Sequence, residues 1–541
     1  MDIDRRHVLA LTAATAGASA AASPARAAAP AVPISALGVD ATQFGLRPGS
    51  SEDQSRALQR ALDETARTRS PLALPPGSYR VADVKLPPGA HLVGARGATK
   101  LMLSIGASVI AAAGADHVTL WGLIVDGGRR PLPERRGLVQ LENCSSIKIA
   151  DCEIIGSGRN GIVCVGVDGE IVDTALSEIA DVAIHSLDGR GLTIARNSIN
   201  GVGNNGIQVW RSVKGDDGTI VVDNRIENID NRSGGSGQFG NAINAFRAAN
   251  VIVRSNRIRN CAFTAVRGNA ASNLQIEGNS ISDVREVALY AEFGFEGALI
   301  ANNAIDGAAI GVSVTNFNEG GRLAVVQGNI VRNLLPRRPP GTDPGDVGGV
   351  GISVEADSAV TGNVIENAPT AGIMLGFGQY LRDVSVTGNV VRIADIGIAV
   401  SVVPGAGTAL IANNVIAEAR RGAIVGMARA KPVTGDWPRA VASNTLTCRS
   451  AAIAYVDEYC RLLMRRLAAW ALCRSLGTRH ISVWNPRPTR HPCAPPAAPF
   501  VKCSSQSSPF SCFPSRFMRR STPARTARRP FATPTGRASG C

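Results

Sequence analysis

Residues 251–316 read VIVRSNRIRNCAFTAVRGNAASNLQIEGNSISDVREVALYAEFGFEGALIANNAIDGAAIGVSVTN. Three copies of one unit lie here end to end, marked by Asn256, Asn279 and Asn303 at spacings of 23 and 24. Each copy has an apolar triplet, then Asn-x-Ile, then a small residue followed by an apolar one. A period in this range marks a repeat architecture, in which each unit buries its apolar face only against its neighbours.

The unit recurs beyond this stretch. Asn-x-(Ile/Val) returns at Asn197, Asn224, Asn329, Asn363, Asn389 and Asn414, with Cys152-Glu-Ile and Thr174-Ala-Leu in the same place earlier and Asn444-Thr-Leu as a last copy. A second anchor follows in phase, as at Gly161-Ile162, Ala183-Ile184, Gly206-Ile207, Ala265-Val266, Ala288-Leu289, Gly311-Val312, Gly372-Ile373, Gly397-Ile398 and Ala423-Ile424. Three short alternating strands per unit, with no helical period between them, predict an all-β fold: a single-stranded right-handed parallel β-helix of about a dozen coils stacked ~4.8 Å apart. The repeated Asn suits a sharp corner, because Asn tolerates left-handed backbone. Stacked on itself, its amide donates to one neighbouring coil and accepts from the other.

Composition bounds the function. The chain has 541 residues, 58 Gly and few aromatics, which fits a thin core of Ile, Val, Leu and Ala. The net charge of +14 invites a nucleic-acid partner, but it is not spread over the chain. Residues 28–446 carry 38 Lys/Arg against 39 Asp/Glu, whereas residues 447–541 carry 16 against 2. The body is neutral, so no nucleic-acid partner is expected. Cysteine divides similarly: Cys144, Cys152, Cys164 and Cys261 lie in the body and seven follow from Cys448. The body shows neither metal spacing nor a disulfide framework. Cys144 and Cys152 are close in sequence, and Cys164 and Cys261 read as buried apolar fillers.

In chain order, residues 1–27 carry an Arg pair, a short Ala-rich run and a small-x-small site at Ala25-Arg26-Ala27, the pattern of a signal peptide. Asp4-Arg5-Arg6-His7-Val8-Leu9 resembles the twin-arginine export motif, departing from it at Val8 and Ala10. It implies the twin-arginine export machinery as a partner and a periplasmic or secreted location; ordinary secretion is the alternative. No segment is long and apolar enough to span a bilayer. Residues 28–112 form an N-terminal cap and first coils. Ser51–Asp63 reads as a helix start, with Ser51 as cap, acids in the first turn and an apolar stripe of Ala57, Leu58, Ala61 and Leu62, so a helix near residues 52–66 covers the open end of the stack. Residues 113–446 are the repeats. From residue 447 the pattern stops in an Arg/Pro/Ser/Cys-rich tail in which Ala451–Ser475 has amphipathic helical spacing. The tail reads as disordered; a reading-frame artefact, a basic anchor and a membrane-surface helix are the open accounts of it.

The succession Gly45, Asp53, Ala57-Leu58, Ala61-Leu62, Leu74-Pro-Pro-Gly-Ser-Tyr79 and Leu92-Val-Gly94 resembles the N-terminal segment of pectate-lyase-like β-helix proteins. Joined to the double-Arg signal and the Asn-x-Ile repeats, it resembles a bacterial family of twin-arginine-translocated β-helix-repeat proteins over about residues 1–446. The resemblance implies fold and export. That family has no agreed catalytic residues to carry over.

Two coils are lengthened, at Asn228–Asn241 and Asn333–Gly349. Both insertions fall between the Asn unit and the second anchor, so both emerge at one corner, as functional loops or as tolerated surface insertions. Known sugar-active signatures are absent: no Gly-His-Gly with paired Asp, no Asp-Pro-His-Asp, and no zinc, P-loop or nucleophile-elbow motif. No cofactor is expected. Asp216, Asp217, Asp223 and Glu227 have the oxygen chemistry for calcium but read better as a solvated acidic turn.

Side chains alternate along a strand. If Ile184, Ile207, Ile243, Val266, Leu289 and Val312 point inward, an outward column runs His185, Gln208, Asn244, Arg267, Tyr290, Ser313, and a second runs Leu187, Trp210, Phe246, Asn269, Glu292, Thr315. Later coils place Met374, Ala399 and Val425 there. Aromatic faces for sugar rings beside amides and Arg suit an acidic polysaccharide, with His185, Gln208, Trp210, Asn244, Phe246, Arg247 and Asn269 as binding residues. Arg267 neutralising a uronate beside Tyr290 as proton carrier, with Glu292 as a second acid/base, suits β-elimination. A non-catalytic binding or structural solenoid is the alternative. His185 lies four coils from Tyr290, about 19 Å at this stacking, so the two do not act on one bond.

Overall fold

A computed structural model of the chain describes residues 37–235, 237–342 and 347–435, and the backbone of 445–448. The signal segment and the tail beyond Cys448, including 451–475, lie outside these residues. The chain winds as a right-handed parallel β-solenoid of about 14 turns. One coil comprises a lead strand (Ile252–Arg254), a ladder strand (Arg257–Cys261) and an anchor strand (Val266–Asn269), and the next repeats them at Leu274–Glu277, Ser280–Val284 and Val287–Glu292. Lead strands build a 16-stranded sheet; ladder and anchor strands build a 26-stranded one in which ladder pairs with ladder and anchor with anchor. Each strand contributes inward residues to one continuous core, such as Val253, Ile258 and Val266 and then Ile276, Ile281 and Leu289, all buried.

The ladder is the predicted amide stack. Asn256 Nδ2 donates to Asn279 Oδ1 at 3.0 Å and to the Val221 carbonyl at 3.0 Å, while the Asn256 backbone N–H donates to the same Asn279 Oδ1 at 2.9 Å. The pattern repeats from Asn197 to Asn414. Thr174 begins it, its N–H donating to Asn197 Oδ1 at 3.0 Å. Every ladder Asn before Asn414 is buried, so each amide satisfies groups that have no water to turn to.

The corner differs from the expectation. Positive φ belongs to the residue before the ladder Asn: Arg196, Asp223, Ser255, Asn302 and Asn413, with Gly at 278, 328, 362 and 388. The ladder Asn begins the next strand and directs its N–H along the stack, so its predecessor makes the bend.

The capping helix is Ser55–Arg67, with Leu58, Ala61 and Leu62 buried in the core of the first coils. It starts later than predicted. Asp53 Oδ1 accepts from the Ser55 N–H at 3.0 Å, Gln54 is the cap position, and the first turn holds no acid. Asp53 preceding the first turn supersedes Ser51 as the residue that meets the helix start. At the other end, Thr445–Cys448 pairs antiparallel with Ala409–Ala412. The segment after Asn444 therefore closes the lead sheet and is not a further parallel coil.

Asn279→Ala removes the acceptor of two buried donors, so it should lower unfolding free energy by about 2–4 kcal/mol. Asn414→Ala, at the half-buried end where water replaces the amide, should cost roughly 1 kcal/mol. Urea midpoints of the two variants check the difference; equal midpoints would refute the ladder's role.

Candidate functional site

The register aligns the first predicted column throughout and the second as far as Glu292, Thr315 lying just past the paired residues. His185, Gln208, Asn244, Arg267, Tyr290 and Ser313 are successive partners along the anchor strands, as are Leu187, Trp210, Phe246, Asn269 and Glu292. The anchor face continues to earlier coils through Gln140 and Val163.

Three loops rise along this face. Sequence reasoning found those at 228–241 and 333–349 and missed 127–136, which joins the ladder strand Ile124–Asp126 to the anchor strand Gly137–Glu142. Its Gly-Gly-Arg-Arg-Pro-Leu-Pro run was the available signal, but Leu123 stands where later coils have Asn, so this coil escapes the Asn-based pattern. The first and second loops are four coil steps apart, as are the second and third, about 19 Å each. They divide the anchor face into two bays.

The second bay, between 228–241 and 333–349, is covered. Arg267 donates through Nε to Glu292 Oε1 at 2.6 Å and through Nη2 to Glu292 Oε2 at 2.9 Å, a bidentate pair. Its Nη1 donates to the Gly237 carbonyl at 2.8 Å and reaches Glu286 Oε2 at 3.2 Å. Gly237 has φ +114, and a Cβ there would lie 1.9 Å from Arg267 Nη1, so only glycine permits this approach. From the third loop, Arg338 Nη1 lies 3.7 Å from Glu286 Oε1, and Val347, like Tyr290 and Met374, packs against the buried cluster of Val287, Ile310 and Val350. A Cβ on Gly341 would be 3.4 Å from the Gly235 carbonyl, so the two loops approach each other. Arg267, Glu286 and Glu292 are buried.

The structure therefore brings Arg267, Tyr290 and Glu292 together, with the guanidinium 5.0 Å from the Tyr290 ring centroid. It also commits the Arg267 fork to Glu292. Burial and then Glu292 push the Tyr290 phenol up to about 12. Burial pushes the Glu286 carboxyl up. Burial pulls the Arg267 guanidinium down, and the Glu292 and Glu286 carboxylates more than offset this.

The first bay, between 127–136 and 228–241, holds the aromatic residues. Trp210 meets His185 and Phe246 edge-on at centroid distances of 5.6 and 5.7 Å. Arg247 lies over Phe246 at 4.7 Å. Trp210 Nε1–H donates to Asn244 Oδ1 at 3.0 Å. His185 Nδ1 lies 2.7 Å from Gln208 Oε1, which only accepts, so Nδ1 carries the proton and Nε2 is the acceptor. Burial pulls the His185 pKa down, keeping the ring neutral. Gln208 is buried, and its Nε2 has no hydrogen-bond partner. Asn269 sits at the boundary, its Nδ2 donating to Glu292 Oε1 at 3.0 Å.

Of the four acidic groups considered for calcium, Asp217 turns inward. Its Oδ1 accepts from the Thr219 N–H at 3.3 Å, and burial raises its pKa. Asp216 instead accepts from Asn250 Nδ2 at 2.7 Å, and Glu227 from Arg259 at 3.1 Å. No group of three or more metal-ligating side chains occurs among the described residues. The four body cysteines are free and buried; burial raises Cys152 to about 11 and Cys164 and Cys261 to about 12.

Residues 212–391 match the model of the right handed beta helix region family. No curated protein matches the chain. Among solved structures it is similar to the pre-mature gene product 12 of bacteriophage phi29 (TM-score 0.51, 14% identity, covering 76% of this chain and 58% of that one). It is also similar to PfbA, a surface adhesin of Streptococcus pneumoniae (0.41, 15%, 72% and 90%). A third is the catalytic unit of a GH87 alpha-1,3-glucanase from Streptomyces thermodiastaticus (0.41, 13%, 75% and 71%). The chain thus spans little more than half the length of the phage protein. At these identities the likeness is one of fold.

Arg267→Ala leaves the buried Glu292 carboxylate without its cation and Glu286 with Arg338 alone, and should cost about 3–5 kcal/mol. Limited proteolysis should then open loops 228–241 and 333–349, and unchanged cleavage would refute the clamp. His185 gives a pH signature. Its folded pKa lies below the ordinary value of ~6.5, so the unfolded chain takes up the proton first, and stability contributed by the neutral ring is lost as pH falls below about 6.5. His185→Gln should reduce that acid dependence in melts between pH about 7 and about 5.

Proposed function

We propose that this chain is an exported β-helix that binds an acidic polysaccharide along the open bay of its anchor face. Export rests on the Asp4–Leu9 motif and the signal-like segment 1–27. The observation that carries the binding reading is Gln208: a buried amide donor without a partner, under the His185–Trp210–Phe246 rings. A buried donor left unpaired costs ~1–3 kcal/mol, which an incoming hydroxyl or carboxylate oxygen recovers. The rings of Trp210 and Phe246 supply apolar faces for sugar rings. Arg247, Asn244 and Asn269 supply donors, and the His185 Nε2 an acceptor, so the bay is rich in donors and suits a carboxylate-bearing sugar.

Arg267, Tyr290 and Glu292 are the residues for β-elimination if the chain cleaves what it binds. For that, the ligand's carboxylate must displace Glu292 from the Arg267 fork, and Tyr290 must accept a proton although its pKa near 12 keeps it protonated at neutral pH. The arrangement favours binding without cleavage. A panel of uronate polymers, read by affinity electrophoresis and by ultraviolet absorbance of unsaturated product, separates the two. Binding without product is expected, with Trp210→Ala weakening affinity at least ~10-fold, equivalent to ~1.4 kcal/mol. Product that vanishes in Tyr290→Phe would establish the lyase. No binding by any polymer would sink the polysaccharide reading.

A further inference from the structure

The solvent-facing first position of the ladder strands changes character halfway along the solenoid. Arg225, Arg257 and Ser280 are successive partners in this column, and all are exposed. From Ala304 onward the same column runs Ile330, Val364, Val390 and Val415. Ile330 is 51%, Val364 42% and Val415 60% exposed. The corner beside the column changes with it. Asp173, Arg196 and Asp223 occupy the corner in early coils, whereas Gly328, Gly362 and Gly388 stand beside Ile330, Val364 and Val390, and Asn413 beside Val415. Without corner side chains to shade it, the stripe is flat from Ile330 to Val390. Ile393, a β-branched residue held at φ 52 and 43% exposed, lies at its far rim, a conformation such residues rarely adopt. Contiguous apolar surface of this kind marks an interaction site.

The neighbouring charges identify the occupant. Beside the stripe run Asp306, Arg332, Glu366 and Arg392, with Ala417 next in register; Arg392 lies 3.0 Å from Glu366 and 2.9 Å from Glu418 at the following corner. The signs alternate and balance, which suits neither an anionic lipid surface nor a polyanion. They do suit the same surface turned over. A two-fold axis between the Val364 and Val390 coils brings Val364 onto Val390 of a second copy and Ile330 onto Val415. It brings Glu366 opposite Arg392, and Arg332 opposite the small, neutral Ala417. An axis through a coil, or side-by-side parallel packing in register, sets like charges opposite each other. Isologous contacts of this self-complementary kind are how most homodimers form.

We propose that the face carrying Ile330, Val364, Val390 and Val415 is the interface of an antiparallel homodimer of this chain. It is distinct from the anchor face and independent of the polysaccharide reading. From Ile330 to Val415 the stripe spans three coil steps, about 14 Å at ~4.8 Å per coil, short of a standard interface, so the dimer is weak and reversible.

Sedimentation equilibrium of the full chain over a range of about 1–200 μM tests it, the span in which weak association is seen. A monomer–dimer equilibrium is expected. V364D/V390D should be monomeric throughout with an unchanged circular dichroism spectrum. E366R and R392E alone should each weaken association at least ~10-fold, and E366R/R392E together should restore it, because both inter-copy pairs are then re-formed. A wild-type monomer at every concentration overturns the proposal. So does a dimer that survives V364D/V390D, since another surface or the tail then joins the copies. Singles without effect overturn the two-fold register.

Discussion

The Asn stack is the constraint on which the rest of the structure depends. Each ladder amide before Asn414 is buried, and each takes its partners from the coils on either side. Slipping one coil by a residue breaks two donors and an acceptor at once and turns its outward side chains to the core. The register is therefore fixed at one point per turn, and coil length is free elsewhere. The separation between successive ladder residues varies from 23, at Asn256 to Asn279, to 34, at Asn329 to Asn363, while the amide bonds stay at 2.9–3.0 Å. Shorter extensions such as Phe317–Glu319 follow the anchor strand, but all three long loops share one exit, the corner after the ladder strand.

That exit explains why the anchor face carries the candidate site. Loops spaced four coils apart wall it into bays, and the side chains beneath decide what each bay becomes. Under the second and third loops lies an ionic cluster in which two arginines, one from the anchor strand and one from the third loop, share Glu286. A buried pair of this kind adds little net stability but penalises any arrangement that separates its members. It holds loop 228–241 through the Gly237 carbonyl and loop 333–349 through Arg338. The first bay has no comparable clamp. Its aromatic rings touch each other and leave the Gln208 amide unanswered.

The parts of this molecule set by periodicity were legible in the sequence. The ladder positions, the two outward columns and the shared corner of the two recognised insertions follow from a repeat whose phase is written in Asn, Ile and small residues. What escaped depends on chemistry that periodicity does not encode. The bend residue before Asn varies among Arg, Asp, Ser, Asn and Gly, so no letter marks it. Loop 127–136 lies in a coil with Leu at the ladder position. Thr445–Cys448 has the composition of a ladder strand and runs the opposite way, because the last coil offers a free lead strand to close. Arg267 was placed beside Tyr290 and Glu292 correctly, but strand spacing alone does not reveal that its fork is already bound.

The same separation of scaffold from surface bears on how such a chain acquires function. Inward positions are filled mainly by Ile, Val, Leu and Ala, with a few Cys and an occasional Tyr or Phe, since each must fill a thin core against both neighbours. Outward positions feel no such demand, and their composition is therefore free to differ from coil to coil. Where an outward column is uniformly polar, solvation accounts for it. Where it departs from that, as with the rings of 185–246 on the anchor face and the Val and Ile stripe of 330–415 on the ladder face, the core gains nothing and water opposes the exposed apolar area. The two departures lie on different faces and in different halves of the solenoid, so neither is a by-product of packing the other. A surface feature that costs solvation and fills no core position is best explained by what binds to it.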